Sequence, residues 1–120
     1  MELNATRHDN IAVVTPRGRI DHLNAEAFGK TLAPYVEQCH GCDGVRLLLD
    51  LSGLEYISSA GLRVLMLASK KVTPTGGRIA VAAPQAMVRE ILQISHFDLV
   101  FPVYASVAQG LAELSAAVAG

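Results

Sequence analysis

Three consecutive leucines, Leu47-Leu48-Leu49, stand in a run from Val45 to Leu51 whose only charges are Arg46 and Asp50. Side chains on a strand alternate between its two faces, so a strand with no polar interior position has to be covered on both. The run therefore predicts a central strand held between helical layers. Helical crossovers in turn favour parallel neighbours for that strand.

The remaining segments supply those layers. Leu3 to Arg7 and Ile11 to Gly18 flank the polar tripeptide His8-Asp9-Asn10, which predicts strand, turn, strand. Proline cannot donate to a ladder, so Pro16 predicts an edge position or a bulge near the end of the second strand. Ala27, Phe28, Thr31, Leu32, Tyr35 and Val36 recur at helical spacing, with Asp21 or Asn24 as N-cap and Gly41 or Gly44 as the stop. After the central strand, Ser58-Ser59 precede a helix over Ala60 to Val72. Leu62, Leu65, Met66 and Ser69 share its spacing, and Lys70-Lys71 suit its C-terminal dipole. Pro74, Gly76 and Gly77 break that helix and Arg78 to Ala83 reads as a strand. Pro84 opens a third helix through Val88, Ile91 and Leu92, a short strand is expected at Leu99 to Pro102, and Ser106 to Val118 forms an Ala-rich last helix. The predicted fold is α/β, with a mixed, mostly parallel sheet of about four to five strands and about four α-helices.

With 120 residues the chain has the size of one domain, taken here as 1–120. Hydrophobic residues at 51% against charged residues at 18% allow a real apolar core without disulfide or metal staples. Ten Lys and Arg against eleven Asp and Glu leave a net charge of -1 and no basic run, so nucleic acid is not an expected partner. The longest apolar stretches, Val64 to Ala68 and Ile79 to Pro84, fall far short of the roughly 18 residues of a membrane span. Met1 to Asn10 contains no apolar h-region, and a cytoplasmic location is expected.

The chemistry-bearing candidates gather in the segment from Leu49 to Arg63, where a buried strand meets a helix through a hydroxyl-rich corner. One reading makes Ser58 or Ser59 a helix cap, with Ala60 and Gly61 keeping the first turn small. A second notes that a helix N-terminus favours negative charge, so a phosphate on one of these hydroxyls would be tolerated by the fold. Asp21 or Asn24 reads on local sequence as the N-cap of the first helix.

Asp50-Leu51-Ser52 followed by Tyr56-Ile57-Ser58-Ser59-Ala60-Gly61-Leu62, together with Gly18-Arg19-Ile20-Asp21 and Asn24-Ala25, resembles the STAS domain family, specifically the bacterial anti-sigma factor antagonists. The resemblance covers essentially the whole chain. It implies a STAS fold and a non-enzymatic partner-switching regulator. In such a system the unmodified protein binds an anti-sigma factor with serine kinase activity and releases the sigma factor. Phosphorylation abolishes that binding, and a metal-dependent serine phosphatase reverses it. The family's phosphoacceptor lies two residues before the Gly-Leu pair, which assigns Ser59, with Ser58 the less favoured register. Several members carry Asp before the acceptor and a hydroxyl residue after it, where this chain has Ser58 and Ala60. The resemblance further implies a docking face of Asp21, Asn24, Tyr56, Ser58, Ser59, Ala60, Gly61 and Arg63, extended along the helix towards Ser69 and Lys70. A monomer or weak dimer without cofactor is expected. The family also includes adaptor subunits of transporters and signalling scaffolds, which is the alternative role.

Other signals are weaker. Cys39-His40-Gly41-Cys42 has C-x-x-C spacing but no second pair, so no metal site is expected and a redox role for Cys39 and Cys42 stays open. His8, His22 and His96 are scattered and carry no assigned chemistry. A serine hydrolase would need a glycine where Ile57 stands, and neither nucleotide-binding glycine motif occurs.

Overall fold

The computed structural model describes residues 2–39 and 46–119. It contains β1 (Glu2–His8), β2 (Ile11–Ile20), α1 (Ala25–Gln38), β3 (Arg46–Asp50), β4 (Leu54–Ile57), α2 (Ser59–Val72), β5 (Ile79–Ala82), α3 (Ala86–Ile94), β6 (Val103–Tyr104) and α4 (Val107–Ala119). The sheet runs β1-β2-β3-β5-β6, with β4 attached to the far half of β2. The β1–β2 hairpin is antiparallel and every other pairing is parallel. This is the mixed, mostly parallel α/β architecture expected, with six strands in place of four to five.

The leucine run behaves as its composition demands. Leu47 and Leu49 join the core under α1, α2 and α3, with Phe28, Leu32, Leu65 and Leu92, whereas Leu48 faces the other way with Ile11, Val13, Ala80 and Leu114 of α4. Both faces of β3 are therefore dry, and each leucine is fully buried. Truncating Leu48 to Ala would cost about 2–5 kcal/mol through lost transfer energy and the cavity left behind.

Strand β2 carries the geometry that matters for the site. Its first half, Ile11 to Val14, pairs with β3, and its second half, Gly18 to Ile20, pairs with β4. Pro16 falls between the two ladders, so its missing N–H breaks neither. The register shifts between Gly18 and Arg19, where Gly18 adopts φ 90°, a left-handed conformation that a side chain would strain. The expected irregularity at this end of β2 is thus a switch of partner strands.

Two elements differ from the sequence reading. β4 was not expected at all: four residues after Ser52-Gly53 read as part of a corner. The short strand expected at Leu99 to Pro102 lies instead at Val103–Tyr104, because Phe97–Leu99 form a 3-10 turn. Phe97 and Phe101, stacked at 6.0 Å, bury both ends of that turn and delay the chain's return to the sheet. Gly41 and Gly44, the expected stops of α1, lie outside the described residues. Among the described residues no helix is long and apolar enough to cross a membrane.

Candidate functional site

The site forms where β2 and β4 end side by side. Ile20 pairs with Ile57, and the next backbone amide, that of Ser58, donates to the Ile20 carbonyl at 2.8 Å. This bond brings the loop after β2 and the start of α2 to one place. Ser58 is extended (φ -84°, ψ 171°), and its Oγ accepts from the Gly61 amide at 3.2 Å while its carbonyl accepts from the Leu62 amide at 2.9 Å. That is an N-cap. A Cβ on Gly61 would lie 2.7 Å from both Ile20 Cγ2 and Ile57 Cγ1, so only glycine lets α2 start this close to the two strands.

Ser59 is the first helical residue and is exposed. Among the described residues its side chain makes no hydrogen bond. The two serines thus have different environments: Ser58 is half-buried and spent on the cap, whereas the Ser59 hydroxyl is free at a helix N-terminus. Arg63, one turn further, is also exposed.

The loop between β2 and α1 is braced by its own side chains. Asn24 Oδ1 accepts from the Asp21 amide at 2.8 Å and Asn24 Nδ2 donates to the Arg19 carbonyl at 2.8 Å. Asp21 Oδ1 accepts from the amides of Leu23 and Asn24 at 2.9 and 3.2 Å. Asn24 occupies the N-cap position of α1 but makes no capping bond with its side chain. Asn24 therefore shapes the loop instead of capping, whereas Asp21 makes the capping bonds, its Oδ1 taking the amides two and three residues on and its carbonyl accepting from the Ala25 amide at 3.0 Å. Beside it, the Arg19 guanidinium lies 4.6 Å from the Tyr56 ring centroid, a cation–π pair across the β2–β4 ladder. That contact depends on β4 and is not visible in the sequence pattern. Nor did the pattern signal Gln85, whose Nε2 donates to the Ser52 carbonyl at 2.8 Å and ties the start of α3 to the β3–β4 loop.

The STAS domain family model matches residues 2–110, more than nine-tenths of the chain. The chain belongs to the STAS domain family. This STAS domain is 35% identical over 103 residues to a Bordetella bronchiseptica protein, BtrV, that bears the name of an anti-sigma factor antagonist; the match covers 86% of this chain and 85% of the relative. The crystal structure of an anti-sigma factor antagonist from Mycobacterium paratuberculosis superposes with a TM-score of 0.82 at 26% identity, over 93% of this chain and 92% of that one. Unphosphorylated SpoIIAA, an anti-sigma factor antagonist of Bacillus, has the same fold at a TM-score of 0.78 and 15% identity, over 96% and 97% of the two chains.

Two further expectations about this STAS domain meet the structure differently. Lys70 is exposed on α2, but Ser69 is only 9% exposed, because its position on the helix turns it towards the core with Leu65 and Val72. Ser69 is removed from the expected docking face. Cys39 is buried, its Sγ donates to the Arg78 carbonyl at 3.0 Å, and burial pushes its thiol above the ordinary value. The group is a neutral hydrogen-bond donor in the fold rather than a thiolate. Cys42 lies outside the described residues. Among the described residues no group of three metal-ligating side chains occurs.

Proposed function

We propose that this STAS domain is an anti-sigma factor antagonist that works by partner switching. It acts by binding, not by catalysis. In its unmodified form the face built from Asp21, Asn24, Tyr56, Ser58, Ser59, Ala60, Gly61 and Arg63 docks on an anti-sigma factor with serine kinase activity, which then releases its sigma factor. Phosphorylation of Ser59 ends the complex, and a metal-dependent serine phosphatase restores the binder.

The observation that carries this reading is the exposed, unbonded Ser59 hydroxyl at the first position of α2, next to a Ser58 that already serves the fold. A phosphate there adds about -1.5 to -2 charges beside the Asp21 loop, and like-charge repulsion and desolvation then oppose docking. The helix N-terminus meanwhile accommodates the anion, so the domain need not unfold to switch. The names of the relatives support the role, and SpoIIAA has been solved in both unphosphorylated and phosphorylated forms.

Phosphopeptide mass spectrometry on the protein from its native cells, in two growth states and with phosphatases blocked during lysis, tests the switch. A single phosphate on Ser59 whose occupancy changes between states is expected. No phosphate on Ser58 or Ser59 in either state would reduce the corner to a helix cap and favour a constitutive STAS adaptor.

A further inference from the structure

Helices α1 and α2 leave an apolar groove of about 350 Å³ on the outer surface of the domain. Gly29, Leu32, Ala33 and Val36 line it from α1, and Val64, Leu67 and Ala68 from α2. Leu67 is 51% exposed, a large apolar side chain at the lip with nothing over it among the described residues. The charged residues at the groove are Lys70 and Lys71, both exposed. Neither has an acidic side chain within ion-pair distance among the described residues, where the ion pair found is Lys30–Glu26.

The positions on each helix, 29 to 36 and 64 to 71, span seven residue steps, or about 10 Å of helix axis. That is the length of two helical turns, and it suits an incoming helix that buries anchors at i, i+3 or i+4, and i+7. The lysine end specifies charge: an occupant with carboxylates beside its apolar stripe would neutralise two cations that have no ion-pair partner among the described residues. The groove is also continuous with the candidate docking face. Ser59, Arg63, Leu67 and Lys70 or Lys71 follow one another at three- to four-residue steps along α2, so one partner can cover both.

We propose that the α1–α2 groove is a second docking subsite, and that it takes an acidic amphipathic helix of the anti-sigma factor kinase. This rests on the reading of Ser59 given above. The subsite supplies affinity and partner choice, while Ser59 at the other end of α2 carries the phosphate that ends binding. Because the groove lies turns away from Ser59, its contribution is independent of the phosphorylation state.

The test is binding of the purified anti-sigma factor kinase from the same organism to the full chain, by titration calorimetry at two salt concentrations. Two groove variants are compared with wild type and with Ser59→Asp. Gly29→Leu fills the groove, because a Cβ at Gly29 meets only the Val64 methyls at 3.6 Å, an ordinary contact. Lys70→Glu with Lys71→Glu reverses the charge at two exposed positions, where folding is not at stake. Each is expected to weaken binding about tenfold, and the double reversal to flatten its salt dependence. Wild-type binding that both groove variants match would overturn the subsite and leave the Ser59 reading standing. No binding by the wild type would overturn that reading and the subsite with it. A wild-type homodimer in sedimentation that Gly29→Leu dissociates would overturn the assignment in favour of a second copy of this chain.

Discussion

The amide of Ser58 and the carbonyl of Ile20, 2.8 Å apart, are the last rung of the parallel ladder between β2 and β4 and the first fixed point of α2. A single hydrogen bond thereby sets the distance between the Asp21–Asn24 loop and the exposed Ser59 hydroxyl. This backbone rung joins the two halves of the candidate face, and the Asp21 and Asn24 side chains and the Arg19–Tyr56 pair brace it. Substitutions that keep this rung should change function without changing fold, and those that strain it should do both.

The two serines should separate cleanly by this logic. Ser58→Ala removes the cap to the Gly61 amide and is expected to cost about 1 kcal/mol, a fall of about 4 °C in melting temperature. Ser59→Ala should melt within about 2 °C of wild type, since surface changes of this kind usually stay within about 0.5 kcal/mol. Thermal denaturation followed by circular dichroism checks both. A Ser59→Ala loss as large as that of Ser58→Ala would mean the roles are reversed.

Gly61→Ala tests the close approach itself. Alanine is ordinarily the better helix former, yet its Cβ would meet Ile20 Cγ2 and Ile57 Cγ1 at 2.7 Å, and both isoleucines are buried and cannot swing away. Destabilisation of about 1–3 kcal/mol in chemical denaturation is expected. Neutral or increased stability would show that the strands give way and that the Ser58–Ile20 rung is soft.

Much of this arrangement was legible in the sequence, and the parts that were not have common causes. Leu47-Leu48-Leu49 identified the central strand because burial on both faces leaves no alternative composition. β4 escaped because a strand of four residues, Leu54 to Ile57, is too short to show a period, and its pairing with the far half of β2 depends on a partner switch at Gly18 that is tertiary in origin. The Arg19–Tyr56 pair was hidden for the same reason. The spacing of Ser69 with Leu62 and Leu65 already points it inwards, and only the docking face implied by the resemblance placed it outside. β6 slipped four residues because stacking between Phe97 and Phe101 is a contact that propensity does not weigh.

Asn24, half-buried in its loop, is expected to matter more than a loop residue normally does. Asn24→Ala removes the acceptor of the Asp21 amide and the donor to the Arg19 carbonyl, bonds worth about 0.5–1.5 kcal/mol each. Amide hydrogen exchange at Asp21 should accelerate, and binding of the proposed kinase partner should weaken even with Ser59 intact. Unchanged exchange at Asp21 would show that the loop is held by its backbone alone.

Burial of Cys39 gives a pH dependence of known sign. The thiol titrates higher in the folded than in the unfolded chain, so its contribution is intact below the ordinary thiol value and is lost as pH rises through the folded value. Stability should therefore decline on the alkaline side, and Cys39→Ala should flatten that limb. In a Cys42→Ser background, maleimide should label Cys39 at neutral pH only as fast as the domain opens. Rapid labelling of the folded protein would contradict the burial.

The last prediction concerns what the phosphate does to the fold. The first turn of α2 holds no acidic residue, so its N-terminal dipole is uncompensated. A negative charge at Ser59 should be stabilising there by about 0.3–1 kcal/mol at low salt, and less as salt screens it. Asp21 opposes this, but solvent weakens the repulsion between a half-buried carboxylate and an exposed phosphate. The expected outcome is that Ser59→Asp and enzymatically phosphorylated protein melt at or slightly above the wild-type temperature, with the advantage shrinking in salt, while partner binding is lost. Melting several degrees lower would show that the phosphate opens the Ser58 cap, and switching would then proceed through local unfolding rather than through charge on an intact surface.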